Sequence, residues 1–257
     1  MTDLLVLAIL SVFQGLFEWL PISSEGVSVF LMVNVLKLDP GPALSYAIFF
    51  HIGTMLAVLF RFRSDFIKFF SGNNGQLARM ILVATFFTAL TAIPLMTAIR
   101  EFRSGELVNA LIGVMLITTG LVLRLPGGGL RSLYELKLAE VALLGLIQGF
   151  AIIPGISRSG VTVSFLLVRK LNEEHALKFS FLLSVPAVLG AVFLDSFTGS
   201  FPKGITPFSA VVVILITFTV GYVTMDLLLR FARRANFSAF CIILGTLSII
   251  TAIILWI

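Results

Sequence analysis

Apolar residues fill this chain in blocks separated by charged or Gly/Pro-rich breaks, at about 4–20, 24–36, 43–60, 78–99, 107–124, 137–153, 160–171, 176–195, 208–230 and 237–257. Blocks of about 20 apolar residues suit helices that cross a hydrocarbon core of roughly 30 Å. Two blocks, 24–36 and 160–171, are too short. At about 1.5 Å per residue they reach roughly 20 Å. Each follows a longer block through a polar, proline-containing turn, PISSEG at 21–26 and PGISRSG at 154–160. Backbone groups unpaired against lipid are too costly to persist, so both turns belong inside the protein or beside a wet cavity. The pattern predicts an all-α polytopic membrane protein with six transmembrane helices plus two re-entrant helical hairpins.

The two hairpins resemble each other. A shift of 134 residues aligns Gln14 with Gln148, Gly15 with Gly149, Ile22 with Ile156, Ser23 with Ser157 and Gly26 with Gly160. A shift of 133 aligns Ala43, Leu44, Leu56 and Phe60 with Ala176, Leu177, Leu189 and Phe193. Apolar matches are cheap in such a sequence, so the polar matches at fixed offset carry the inference. Within a single integral membrane domain, 1–257, this predicts repeats of about 1–124 and 137–257, each with one hairpin and three spans. An odd number of crossings inverts the second repeat relative to the first.

The cations orient this arrangement. One face receives four of them, Lys37, Arg100, Arg103 and Lys203, together with both termini. The other receives thirteen: Arg61, Arg63, Lys68, Arg79, Arg124, Arg131, Lys137, Arg169, Lys170, Lys178, Arg230, Arg233 and Arg234. By the positive-inside rule the richer face is cytoplasmic, which puts both termini outside. The first hairpin then enters from outside and the second from the cytoplasm, and their turns meet near the midplane in a site facing outward. The opening MTDLLVLAIL lacks the cationic stretch and cleavage site of a signal peptide and is expected to be mature structure.

Composition removes other classes. The chain is 58% hydrophobic and 12% charged, with a mean hydropathy of +1.09, whereas soluble domains run near 45–50% and about 25%. The net charge of +5 lies in short loops, where it reports topology, so no nucleic acid partner is expected. A single cysteine, Cys241, excludes a disulfide framework and a thiolate metal site.

Ionisable groups within apolar segments are costly, about 2.5–3.5 kcal/mol on insertion scales, and mark function by default. Gln14 and Glu18, four residues apart, share a helix face that leads into Ser23, Ser24 and Glu25. Opposite them, Ser157, Arg158, Ser159 and Thr162 stand at the start of a short helix beginning near Gly160. A helix N-terminus, hydroxyls and a planar guanidinium together form a phosphate cradle. Carboxylates facing such a cradle suit general-base or metal-assisted attack on phosphorus. His51, alone in a span, reads as a packing residue; His175, Glu173 and Glu174 as a solvated helix start; Asp226 as reaching water; and GLIQG (145–149) as a helix contact.

QGLFEWLPISSEG (14–26) and QGFAIIPGISRSGVT (148–162) resemble the two signature motifs of the bacitracin-resistance type undecaprenyl-diphosphate phosphatases. HIGTMLAV (51–58) and FSFLLSVPAVLGA (179–191) resemble that family's intervening spans, so the likeness covers nearly the whole chain. The resemblance implies an integral membrane enzyme that removes the terminal phosphate from a polyprenyl diphosphate at the outer membrane face. The product is the monophosphate carrier for envelope polysaccharide or glycan assembly. The resemblance also implies a divalent cation, Mg or Ca. By position, Gln14 and Glu18 match the family's acidic or amide pair, Ser23 and Ser24 its serine pair, and Ser157, Arg158, Ser159 and Thr162 its phosphate-binding motif. One departure stands out. The family's first motif places a histidine after the glycine, and here that residue is Val27, with Glu25 where a small polar residue is usual. Glu25, Glu18 or His51 are the bases left to serve Ser24 or water.

The expected activity is that of a polyprenyl-diphosphate phosphatase. Arg158 and nearby amides hold the phosphates, Glu18 with Gln14 positions a divalent ion, and Ser24 or water attacks. The rival is a transporter that moves polyprenyl phosphate across the bilayer, which inverted repeats with broken helices support independently of any motif. A homo-oligomer is compatible with either.

Overall fold

The computed structural model describes residues 4–72, 74–99, 104–125, 128–197, 202, 205–232 and 237–256. Of the cations used above, Arg100, Arg103, Lys203, Arg233 and Arg234 lie outside these residues, and so does the side chain of Arg230. The described chain is helical apart from two short 3₁₀ turns, connecting turns and one isolated bridge between Arg131 and Leu171. Among the described residues six helices are long and apolar enough to cross a membrane: α3 (Pro40–Arg61), α5 (Gly75–Ile99), α6 (Gly105–Val122), α9 (Glu173–Phe197), α10 (Pro207–Ala232) and α11 (Phe237–Trp256). The hairpins are α1 (Leu4–Phe17) with α2 (Ser24–Asn34), and α7 (Leu138–Gly149), continued by a 3₁₀ turn to Ile152, with α8 (Arg158–Val168).

Local chemistry sets the hairpin breaks. Ser23 caps α2 by accepting from the Gly26 N–H, and Ser157 caps α8 by accepting from the Gly160 N–H, each at 3.0 Å. Such a cap satisfies one of the orphan donors of a helix start. Helix α8 therefore starts at Arg158, two residues before the expected Gly160. Gly155 takes φ +103°, a left-handed conformation open to glycine.

Each hairpin is held by a long helix from the other half of the chain, α1 by α10 and α7 by α5. Small residues permit this closeness. A Cβ on Gly145 would meet the Ala84 carbonyl, and one on Gly149 would overlap the Thr91 hydroxyl. Thr88 and Thr91 donate to the carbonyls of Gly145 and Leu146 at 3.1 and 3.0 Å. On the other hairpin, Gly15 abuts Val220, and Trp19 Nε1 donates to Gly221 O at 2.9 Å.

The stretch between the apolar blocks 43–60 and 78–99 contains a helix of its own, α4 (Arg63–Phe70). Phe66 and Phe69 lie half-buried against the core, while Asp65 pairs with Lys178 at 2.7 Å. An eight-residue amphipathic helix is too short to signal itself by periodicity and is stable only when packed.

Candidate active site

Glu18 lies one residue beyond α1, at the mouth of the first turn, where it is 6% exposed. Its Oε2 accepts from Gln14 Nε2 at 3.0 Å and from Ser24 Oγ at 2.8 Å, and lies 3.3 Å from His51 Nε2. Its Oε1 accepts from Arg158 Nη2 at 2.7 Å. One carboxylate thus gathers groups from both hairpins and from α3. The i, i+4 spacing of Gln14 and Glu18 brings the two side chains into hydrogen-bonding contact on one face, as expected from the sequence.

The turns themselves interlock. Ser23 Oγ accepts from the Gly155 N–H at 3.1 Å, and Ser159 Oγ donates to Leu20 O at 3.3 Å. A Cβ on Gly26 would lie 2.7 Å from the Gly155 nitrogen, so glycine at position 26 is what lets the two turns touch. Thr119 on α6 pins the second turn, donating to Gly155 O and accepting from the Ser157 N–H, both at 3.1 Å.

These groups surround a cavity of about 100 Å³, whose wall includes Glu18, Ser24, Glu25, His51, Gln148 and Arg158. Ser23, Ser157 and Ser159 also reach this wall, and Ile48, Ile152, Ile156 and Val188 supply apolar surface beside it. Ahead of the first helical bond of α8, from the Val161 N–H to Ser157 O, stand the N–H groups of Arg158 and Ser159, a start suited to anionic oxygens. Two candidate residues stand back from the cavity. Gln14 supports Glu18 from behind. Thr162 donates to Arg158 O at 2.7 Å and meets Ser180 Oγ at 2.6 Å, tying α8 to α9. Arg158 is likewise anchored on α9, its Nη1 donating to Ser180 O at 3.1 Å.

His51 is the residue that the sequence reading set aside as packing. It lies mid-way along α3, with Nδ1 2.7 Å from Ala47 O and Nε2 toward Glu18. Its signal was present in the chain, an ionisable side chain inside an apolar span. Thr119 carried no such signal, because threonines are common in membrane helices. Val27 is buried on α2 and offers no polar atom.

Among the described residues no three His, Cys, Asp or Glu side chains stand together as a metal cluster. Buried oxygens without partners do exist, at Gln14 Oε1, Glu25 Oε1 and Gln148 Oε1. Such acceptors fit a hard cation that takes its remaining ligands from substrate oxygens.

Comparison with protein-family models matches residues 7–250 to the family described as Bacitracin resistance protein BacA. The chain belongs to that family. Three relatives, each named undecaprenyl-diphosphatase, illustrate the breadth of the match. The protein of Methanothrix thermoacetophila is 45% identical over 248 residues, covering 96% of each chain. That of Methanopyrus kandleri is 39% identical, covering 93% of this chain and 92% of its own. That of Carboxydothermus hydrogenoformans is 39% identical over 191 residues, 73% and 71% of the two chains. The family match takes in both hairpin turns and every residue of the cavity wall.

Proposed function

We propose that this BacA-family protein is a membrane phosphatase that removes the terminal phosphate from an undecaprenyl-type diphosphate. The observation that carries the reading is the convergence on Glu18 of Ser24 from one hairpin and Arg158 from the other. Both line one cavity with apolar surface beside it, which suits a diphosphate on a prenyl tail.

In this reading Arg158 and the first amides of α8 receive the phosphate oxygens. Ser24 Oγ, or a water in its place, attacks the terminal phosphorus. Its proton passes to Glu18 Oε2, which already accepts that hydroxyl. The bond from phosphorus to the bridging oxygen breaks, and the electron pair leaves with the lipid monophosphate. Water then releases phosphate from Ser24 where serine was the nucleophile. His51, beside the same carboxylate oxygen, steadies the charge of Glu18 through these transfers. A divalent cation, when bound, neutralises diphosphate charge.

The cavity faces the outer side in this reading, in line with the cation asymmetry of the loops. The twin caps at Ser23 and Ser157 and the reciprocal packing of α1 on α10 and α7 on α5 support an inverted repeat with halves of about 1–124 and 137–257. The transporter reading has one observation of its own. A second cavity, of about 370 Å³ and bordered by Trp19, Leu123 and Leu177, shares Ser159 with the first. It adjoins the start of α9, whereas the first reaches Ala187 and Ala191 further along that helix. Phosphate release by the purified protein from a prenyl diphosphate, with and without chelator, is the deciding experiment. A protein that binds the lipid and moves it between liposome leaflets with no release would establish the transporter instead.

A further inference from the structure

We propose that Glu25 and Gln148, rather than Glu18, hold the divalent cation that accompanies the diphosphate. The inference rests on reading the cavity as a diphosphate site. Buried polar side chains in proteins are paired, and exceptions point to a missing water or ion. Among the described residues the unpaired buried side-chain atoms are Gln14 Oε1, Glu25 Oε1, Ser28 Oγ and Gln148 Oε1. Two of these four belong to residues of the cavity wall, Glu25 and Gln148, and both are pure acceptors.

The orientation of Gln148 follows from its neighbour. Thr88 Oγ1 donates its proton to a main-chain carbonyl, Ala84 O at 2.8 Å or Gly145 O at 3.1 Å. Toward Gln148 it can therefore only accept, which it does from Nε2 at 3.0 Å. The amide is locked with its carbonyl oxygen as the free end. Gln148 is 3% exposed and lies on the cavity wall. Glu25 adds the negative charge, from the first turn of α2.

Glu18 is poorly placed for the same task. Oε1 is committed to Arg158, and Oε2 to Gln14, Ser24 and His51. A cation on Glu18 would stand against the Arg158 guanidinium. An oxygen-only set with one carboxylate suits Mg²⁺ or Ca²⁺, which commonly complete their shells with substrate phosphate oxygens and water. The division of labour is then clear: Glu18 organises the proton and the arginine, and Glu25 with Gln148 holds the metal.

The test titrates Mn²⁺ into the detergent-purified full chain and follows it by electron paramagnetic resonance, with and without methylenediphosphonate. Glu25→Gln and Gln148→Leu are each expected to weaken Mn²⁺ binding at least about tenfold, and Gln148→Glu to tighten it. Glu18→Gln, compared without the diphosphonate, is expected to weaken Mn²⁺ binding much less than Glu25→Gln or Gln148→Leu does. Loss of binding in Glu18→Gln with retention in Glu25→Gln and Gln148→Leu would overturn the proposal, as would a wild type that binds no Mn²⁺ with the diphosphonate present. Misfolding of Gln148→Leu does not blur the outcome, since a gain in Gln148→Glu cannot come from misfolding and its absence counts against the site. Turnover is scored separately by phosphate release. Mn²⁺ held through Glu25 and Gln148 in a protein without turnover would end the phosphatase reading and leave the cation site standing.

Discussion

Arg158 Nη2 and Glu18 Oε1 stand 2.7 Å apart although 140 residues of sequence separate them. Both side chains are largely buried, at 13% and 6% exposure. A buried pair of this kind is costly to break from one side, about 3–5 kcal/mol, because the remaining charge is left without a partner. The pair therefore joins the two hairpins as well as serving the cavity, and the Arg158 guanidinium is anchored at both ends, on Glu18 and on Ser180 O.

That anchoring makes lysine a poor substitute for Arg158. Arg158→Lys keeps the charge but cannot bridge Ser180 O, Glu18 and a phosphate at once, since an ammonium lacks the planar fork. It is expected to bind a prenyl diphosphate nearly as poorly as Arg158→Ala. Equilibrium binding of a non-hydrolysable lipid diphosphonate reads this out, and full retention of binding by the lysine variant would show that the cradle lies elsewhere.

Ser24 and Glu18 are expected to control turnover. Ser24→Ala removes the attacking hydroxyl or the group that orients water, and Glu18→Gln removes the acceptor. Each is expected to lower phosphate release by about 10² to 10⁴. Val27→His is expected to change the rate only modestly, because the wild-type site already contains an acceptor and an imidazole. A silent wild type that gains turnover on Val27→His would reverse this assignment.

His51→Leu separates packing from chemistry. Leucine fills a similar volume in α3 but offers Glu18 no proton, so the rate is expected to fall by at least about tenfold while thermal unfolding changes little. His51→Gln, which can still donate to the carboxylate, is expected to recover part of the loss. Equal activity of all three proteins would return His51 to the role of a packing residue.

Orientation is tested on exposed positions at the start of α3 and on α4, which follows its other end. In a Cys241→Ala background, single cysteines replace Asp39 and Lys68, both solvent-exposed. An impermeant maleimide added outside intact cells is expected to label position 39 and spare position 68. The reverse pattern would invert the topology and turn the cavity toward the cytoplasm.

Much of this protein was legible in its residues alone. Blocks of apolar sequence set the number of long helices, because a membrane span must close its own backbone hydrogen bonds within the segment. The two short blocks gave away the hairpins, since a dozen residues do not reach across a bilayer. The i, i+4 pair of Gln14 and Glu18 acts through local geometry, which sequence spacing encodes directly. Tertiary structure decided the rest. It set His51 beside Glu18, because nothing in the spacing of α3 and the first hairpin says which face of α3 turns inward. It drew Thr162 away from the cavity toward Ser180 and gave Thr119 the task of holding the second turn, since a membrane threonine can satisfy its hydroxyl locally or across helices with equal ease. It left Gln148 with a free carbonyl oxygen, a consequence of where Thr88 on α5 spends its proton. Hydrogen bonds across helices depend on which faces meet, and that is fixed only once the helices have packed.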